Sequence, residues 1–247
     1  ALHAWFDFHL KGMDVETGPA VEAFLNGDEA VALNKVLDPE SEEWGREVYV
    51  ADAWRHPGAD RVGIWPDATT GELLVGERPT ESGSASFSNG ANALLAHAAN
   101  GKVTFTSDPL TEDTVFVGLP RMALDVSLTT GQITHLVATL YRVDAEGDRQ
   151  PMNYCAIQPQ LRFGVHDVAP VVPGERMRTY PTCFTMAHQV PAGQSLVLEI
   201  STRSPHHASF GGTDGRITVF TGPHATRSLL PEVPDAILHD DVPLRAS

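Results

Sequence analysis

The feature that most limits the fold of this chain is a series of strand-like segments, divided by proline and glycine, across residues 103–220. In residues 122–128, apolar side chains alternate with Asp125 and Ser127, as in an antiparallel strand with one buried face. Residues 135–143 contain few polar positions, which predicts a strand covered on both faces. The same reasoning predicts further strands at residues 153–163, 176–185, 196–202 and 216–220.

Turn residues separate these segments. Residues 144–148 predict a turn, and residues 172–174 and 190–193 contain the proline and glycine that tight turns require. Because helices do not alternate with the strands, the pattern favours a mainly β fold, a jelly-roll-like β-sandwich, over a parallel sheet. The serine- and glycine-rich residues 81–89 are expected to form the longest exposed loop.

One amphipathic helix is predicted before the strands, ending at Gly12, which can adopt a left-handed cap. Its apolar residues recur at helical spacing: Leu2, Trp5, Phe6 and Leu10. Several large side chains on so short a helix need a surface to cover. Two shorter helical segments are predicted at residues 28–37 and 91–98.

Charge and hydropathy exclude two classes of partner. The 247 residues include 32 Asp and Glu against 17 Lys and Arg, a net charge of −15 that repels phosphate backbones and anionic lipid. Nucleic acid and membrane surfaces are therefore not expected as partners. The longest apolar stretches fall far short of the roughly 20 residues that span a bilayer, so no transmembrane helix is predicted.

The two cysteines, Cys155 and Cys183, are compatible with one disulfide in an oxidising compartment or with two buried thiols. This leaves the localisation open between cytoplasmic and secreted. No signal peptide follows Ala1, and any targeting signal is expected to lie upstream of it.

Motifs for catalysis and cofactor binding are lacking. The sequence contains no G-x-S-x-G elbow and no glycine-rich nucleotide loop. The 11 histidines include only one adjacent pair, His206 and His207, whose side chains would point to opposite sides of an extended segment. An exposed polar loop is therefore favoured over a metal site, and neither a metal nor a cofactor is expected.

Four segments resemble one family. Residues 5–12 (WFDFHLKG) and 19–21 (PAV) are similar to the F-F-D-x-x-L-K-G…P-x-V passage that closes the α/β-hydrolase part of X-Pro dipeptidyl-peptidases and cocaine-esterase-type acyl hydrolases. The other three resemble its C-terminal jelly-roll domain: the domain entry at residues 110–127, the L-x-D-V-x-P-D-G hairpin at residues 141–147, and the F-x-P-G-H-R-L-R-L-x-I-S strand at residues 190–201. Gln194 departs from this pattern, replacing the histidine of P-G-H, and residues 204–207 (SPHH) replace a Phe-Pro stretch.

The resemblance implies a serine hydrolase whose catalytic triad lies upstream of Ala1, so no catalytic residue can be assigned here. It implies that residues 1–21 end an α/β-hydrolase domain and residues 22–247 form the jelly roll. The chain would pack on the catalytic domain of the same protein, with Ser204, His206 and His207 at the rim of its pocket. Without that domain, the helix is expected to pack on the sandwich or on a second copy, forming a homo-oligomer.

A second hypothesis is a free-standing jelly-roll module that binds carbohydrate or a protein ligand. The aromatic helix argues against it, because a free module has no need to begin with a helix that requires an apolar cover. Aromatic residues for stacking on sugars are also scarce, with 4 Trp and 4 Tyr. The substrate, peptide or ester, is left open.

Overall fold

The computed structural model describes residues 2–17, 21–25, 48–51, 60–88, 101–130, 135–202, 215–233 and 238–239. The helix α1 spans Leu2–Lys11, and a 3-10 turn spans Pro159–Leu161. The strands in these residues are β1 (Val21–Phe24), β2 (Val48–Ala51), β3 (Asp60–Pro66), β4 (Leu73–Val75), β5 (Gly83–Ser88), β6 (Lys102–Thr106), β7 (Thr114–Gly118), β8 (Arg121–Leu128), β9 (Leu136–Val143), β10 (Arg149–Ile157), β11 (Met177–Thr179), β12 (Thr182–Cys183), β13 (Met186–Val190), β14 (Ser195–Ser201), β15 (Arg216–Thr221), β16 (Arg227–Glu232) and β17 (Leu238–His239).

Two large antiparallel sheets form the body of the described protein. The smaller has the strand order β12-β10-β9-β14-β6. The larger follows β13-β7-β16-β8-β15-β5, with β11 beside β8 and with β3 and β4 beyond β16. Leu140 and Leu198 of the first sheet meet Met122 and Leu230 of the second in one apolar core. This arrangement confirms the predicted β-sandwich. A separate small sheet has the order β1-β2-β17.

The central strand β9 explains why residues 135–143 lack a polar face. It pairs with β10 on one side and with β14 on the other. Leu136 to Leu140 are buried in succession, so both faces of the strand are covered, as predicted. The turn at residues 144–148 also forms, with Gly147 at a φ of +89° and the amide of Asp148 donating to Asp144 Oδ1 at 2.8 Å.

The prediction that Asp125 lies on a solvent face of β8 is wrong, because this residue is only 3% exposed. Arg178 donates two hydrogen bonds to this carboxylate, from Nε at 2.8 Å and from Nη2 at 2.9 Å. Arg176 donates a third at 2.7 Å. Burial by itself would raise the pKa of Asp125, but the hydrogen bonds and charges of Arg178 and Arg176 lower it below its ordinary value of 3.8. The carboxylate is therefore buried as an ion, in a site that two arginines complete.

The prediction of a long loop at residues 81–89 is also wrong, because β5 occupies most of it. This edge strand pairs with β15 along its whole length. Ser84, Ser86 and Ser88 face outward while Phe87 is buried, so the strand alternates despite its loop-like composition. Serine is small and polar enough to occupy the exposed side of a strand.

Two predicted strands end or divide at prolines. The strand predicted at residues 153–163 stops at Ile157, because Pro159 begins a 3-10 turn and lacks an amide to continue the ladder. The strand predicted at residues 176–185 is divided by Pro181 into β11 and β12, which belong to different sheets. The helical segments predicted at residues 28–37 and 91–98 lie outside the described residues.

Cys155 and Cys183 are joined by a disulfide, with their sulfur atoms 2.04 Å apart. The two residues are direct partners in the register of β10 and β12. Both side chains belong to the apolar core. The bridge therefore attaches the two-residue strand β12 covalently to the sheet.

A buried cation connects the two sheets. Arg142 of β9 is 2% exposed, and its guanidinium donates to the carbonyl oxygen of Gln189 on β13 at 2.9 Å and to Gln150 Oε1. The neighbouring His188 is also buried. Burial lowers the pKa of His188 from 6.5 to about 4, and the charge of Arg142 acts in the same direction, while a hydrogen bond with the backbone of Met152 opposes it. His188 is therefore neutral in the folded protein at pH 7.

Replacing Asp125 with asparagine should lower the free energy of unfolding by about 2–3 kcal/mol, because two guanidinium groups lose their shared charge partner. Arg176 and Arg178 are partly exposed and can hydrate, which keeps the loss moderate. Urea denaturation measures the difference. Asp148→Asn, on the exposed turn after β9, is the matched control and should change stability by less than about 0.5 kcal/mol. Equal effects of the two substitutions would contradict the role given to the Asp125 site.

The stability of the protein should fall as the pH is lowered from 6.5 towards 4. In this range the unfolded chain protonates His188 at its ordinary pKa while the folded chain does not, so protons favour the unfolded state. The contribution of His188 to the loss between pH 7 and pH 4.5 is about 2 kcal/mol. Denaturation curves of His188→Gln should show a correspondingly flatter pH dependence. His166→Gln, at an exposed position, should follow the original protein, and parallel curves for all three proteins would refute the assignment.

Candidate interaction surfaces

The residues predicted for a pocket rim, Ser204, His206 and His207, lie outside the described residues. The described chain stops at Thr202, after β14, and resumes at Gly215, before β15. Strand β14 belongs to the smaller sheet and β15 to the larger. Arg216, at the point of return, donates its amide to Thr129 Oγ1 at 2.8 Å.

The described residues contain no cluster of three or more His, Cys, Asp or Glu side chains that could hold a metal ion. His188 is held beside Arg142 in the interior, and both cysteines are in the disulfide. A surface cleft of about 380 Å³ lies between residues 72–77 and 107–111, where Glu72, Glu77 and Asp108 make its lining acidic. Carboxylates in an open cleft do not by themselves define a ligand.

The helix surface, formed by Trp5, Phe6, Phe8 and Leu10, is the first apolar feature that the structure leaves uncovered. Trp5 is 47% exposed and Leu10 is 72% exposed. The ring of Trp5 packs on those of Phe6 and His9, at centroid distances of 5.3 Å and 4.5 Å. These contacts hold the aromatic rings on the helix without burying them. The helix itself confirms the sequence prediction, because it ends at Lys11 and Gly12 follows with a φ of +66°.

The polar pair on α1 lies across the helix from Trp5. Lys11 Nζ bonds to Asp7 Oδ1 at 2.5 Å, one turn apart. At 100° per residue, Asp7 and Lys11 lie on the side of the helix opposite Trp5. An amphipathic helix normally turns its apolar side towards a core. The helix surface therefore resembles an interface without its partner.

The clamped loop, residues 162–172, is a second apolar feature and was not foreseen from the sequence. The guanidinium of Arg162 donates to three backbone carbonyl groups, those of Pro159, Ala169 and Pro170, at 3.0–3.2 Å. The loop also closes through the amide of Ala169, which donates to the carbonyl oxygen of Gln160 at 2.9 Å. Its outward side chains are apolar and more than half exposed: Phe163, Val165, Val168 and Val172.

This loop reverses the usual polarity of a surface loop. The charged group of Arg162 binds the backbone inside the turn, while a phenylalanine and three valines face water. The sequence carries a signal for this loop, because apolar residues recur through residues 163–172 and Gly174 follows them. The first of these residues, Phe163, falls at the end of the strand predicted at residues 153–163.

No helix in the described part of the chain has the length and apolar content that a bilayer crossing requires. A comparison with curated proteins gives no significant match.

Solved structures share the fold. A CocE/NonD family hydrolase from Staphylococcus aureus aligns with a TM-score of 0.72 and 15% identity, over 94% of this chain and 45% of that chain. An α-amino acid ester hydrolase aligns with a TM-score of 0.70 and 15% identity, over 94% and 44%. An aminopeptidase from the marine sediment archaeon Thaumarchaeota archaeon gives 0.68 and 13%, over 94% and 43%. The chain thus spans less than half the length of each of these structures.

The family model described as the X-Pro dipeptidyl-peptidase C-terminal non-catalytic domain matches residues 14–230. This match begins after α1 and ends within β16, and it contains the three segments that resemble the jelly-roll domain. The chain belongs to the family of X-Pro dipeptidyl-peptidase C-terminal non-catalytic domains.

Proposed function

We propose that this chain is the C-terminal, non-catalytic part of a serine acyl hydrolase or X-Pro dipeptidyl-peptidase, and that it packs on the α/β-hydrolase catalytic domain of the same protein. In this proposal residues 1–21 end the catalytic domain and residues 22–247 form the jelly roll. The observation that carries the proposal is the helix surface, an aromatic helix face exposed to water. Family membership and the hydrolase fold neighbours support it.

The exposed side chains of the helix surface are large and apolar. Fully burying one phenylalanine or leucine side chain stabilises a protein by about 1.5–3 kcal/mol. The helix surface contains Trp5, Phe6, Phe8 and Leu10, all at least 40% exposed. Covering them with a neighbouring domain would therefore stabilise the assembly by several kcal/mol. A catalytic domain in the same polypeptide needs no intermolecular association to supply that cover.

The clamped loop provides a second contact of the same kind. Because Arg162 fixes the backbone, the apolar side chains of the loop are already ordered before a partner arrives. An ordered surface loses less conformational entropy on docking than a flexible one. We assign this loop to the interface with the catalytic domain as well.

The docking role is tested in the full-length hydrolase with the double substitution Phe6→Ser and Leu10→Ser. We expect a loss of about 2–4 kcal/mol in the free energy of unfolding, because two side chains buried between domains become polar. In the isolated chain the same residues are exposed, so the effect should stay below about 0.5 kcal/mol.

The matched control is Lys11→Ser on the opposite side of the same helix, which should change neither protein appreciably. Differential scanning calorimetry of both lengths of protein provides the measurement. If the full-length hydrolase tolerates the double substitution as well as the isolated chain does, the helix surface is not a domain contact. The free-standing binding module then becomes the better hypothesis.

The chain also shapes the rim of the catalytic pocket in this proposal, through Ser204, His206 and His207. The support is the departure of residues 204–207 from the family pattern, at a connection between the two sheets. Replacing residues 204–209 of the full-length hydrolase with a Gly-Ser linker of equal length should change kcat/KM by different factors for short and long acyl substrates. Glu146→Ser, on the exposed turn after β9, serves as the control. Unchanged kcat/KM values across the substrates would leave the chain a purely structural role.

A further inference from the structure

A six-residue strap, residues 180–185, closes one side of the sandwich. It begins after β11 and ends before β13, and both of these strands belong to the larger sheet. Between them, β12 pairs with β10 of the smaller sheet. The strap therefore leaves one sheet, attaches to the other and returns within six residues.

The pairing of the strap with β10 is short. The register contains two residue pairs, Cys155 with Cys183 and Ala156 with Thr182. Asn153 Nδ2 donates to the carbonyl oxygen of Phe184 at 2.7 Å, and the amide of Phe184 donates to the carbonyl oxygen of Tyr154 at a long 3.4 Å. Such a short pairing opens far more readily than a central strand.

The side chains of the strap divide between the interior and the solvent. Pro181 and Cys183 are buried, whereas Tyr180 and Phe184 are more than half exposed. The ring of Phe184 lies against that of Tyr154, with centroids 4.6 Å apart. The disulfide thus fixes two exposed aromatic side chains beside the edge of β10.

The bridge itself is shielded from solvent while the strap is in place. Cys155 is 6% exposed and Cys183 is 9% exposed, and both contribute to the apolar core. A reductant can reach the sulfur atoms only when the strap lifts. Proteins open locally without unfolding globally, and local opening of the strap would expose them.

We propose that the Cys155–Cys183 disulfide is a redox latch that holds the strap on β10. In the opening step, a thiolate of a dithiol reductant attacks one cysteine sulfur, which breaks the bond between the two cysteines, releases the other cysteine as a thiolate and forms a mixed disulfide. The second thiol of the reductant then attacks its own sulfur in the mixed disulfide and releases the remaining cysteine. Two electrons and two protons pass to the protein, which ends with two cysteine thiols, and the reductant becomes a cyclic disulfide. A disulfide oxidant reverses the step.

Opening the latch has two structural consequences. The edge of β10 at residues 153–157 loses its partner strand, so its outward backbone groups become available for pairing. Tyr180 and Phe184 also lose their fixed positions beside Tyr154. Strands β11 and β13 keep their pairing with β8 and β7, because the disulfide does not join them.

Hydrogen exchange with mass spectrometry tests this proposal on the whole chain, oxidised and after reduction with dithiothreitol. Reduction should accelerate amide exchange in residues 154–157 and 182–185 by at least about tenfold. Peptides from β8 and β14 should exchange at unchanged rates. Uniform acceleration over the entire chain would mean that the bridge stabilises the global fold and is not a latch, and unchanged exchange in the strap would overturn the proposal as well.

Variants separate loss of the bridge from loss of a surface contact. The double substitution Cys155→Ala and Cys183→Ala should reproduce the exchange pattern of the reduced protein without dithiothreitol. Thr182→Ala, at an exposed position of the strap, keeps the bridge and should retain the oxidised pattern. If the double variant does not fold, the reduction experiment on the original protein decides alone.

The kinetics of reduction give an independent measurement. In the absence of urea, the disulfide should react with dithiothreitol at least about tenfold faster than the chain unfolds globally, because the strap opens by itself. A reduction rate equal to the global unfolding rate would show that strap opening requires unfolding of the sandwich, which contradicts the latch.

Discussion

The carboxylate of Asp125 is the contact on which the larger sheet depends most directly. It lies in β8, which pairs with β11, β15 and β16. Arg178 joins this carboxylate to β11, and the same guanidinium donates to the carbonyl oxygen of His224 at 2.5 Å. The amide of Asp125 donates to Thr226 Oγ1, which is completely buried. One side chain and its backbone therefore fix a strand, its neighbour and the turn between β15 and β16.

The strands of the sandwich could be predicted where the local sequence alone shows which faces are buried. The apolar run that becomes β9 could be identified because a strand covered on both faces has no polar side. Helix α1 was predictable for a similar local reason, since its apolar spacing and its glycine cap lie within eleven residues. In each case the residues that determine the structure are close together in sequence.

Long-range partners explain the failures. Asp125 has the sequence pattern of a solvent-facing residue, and its burial depends on arginines 51 and 53 positions away. The serines of β5 resemble a loop until β15 is available to pair with them. Of the candidate site, the aromatic helix was found from its sequence, whereas the clamped loop was not. Its exposed valines resemble core residues unless the backbone contacts of Arg162 are known.

Several charged groups of this chain are bound inside the structure, whereas its two apolar surfaces face water. Two arginines bind the carboxylate of Asp125, and the guanidinium groups of Arg142 and Arg162 bind backbone carbonyl groups. In contrast, Trp5, Leu10 and Phe163 face water. Buried polar groups that are hydrogen-bonded give a sandwich a defined register. Exposed apolar groups, in contrast, gain stability only through contact with another surface. The proposed docking on a catalytic domain requires both properties, a rigid body and an exposed apolar surface.

The position of the clamped loop between the two cysteines changes what a cut in the backbone means for this molecule. Cys155 and Cys183 are 28 positions apart, and residues 162–172 lie wholly within the covalent ring that they close. A protease that cleaves the exposed segment around Val165 creates two polypeptides, yet the disulfide still joins them. The apolar side chains of the loop would then sit on two free ends, while the sheets on either side keep their pairing. Such a nicked molecule migrates as one species until its disulfide is reduced. The fold can therefore be intact in a molecule whose backbone is not.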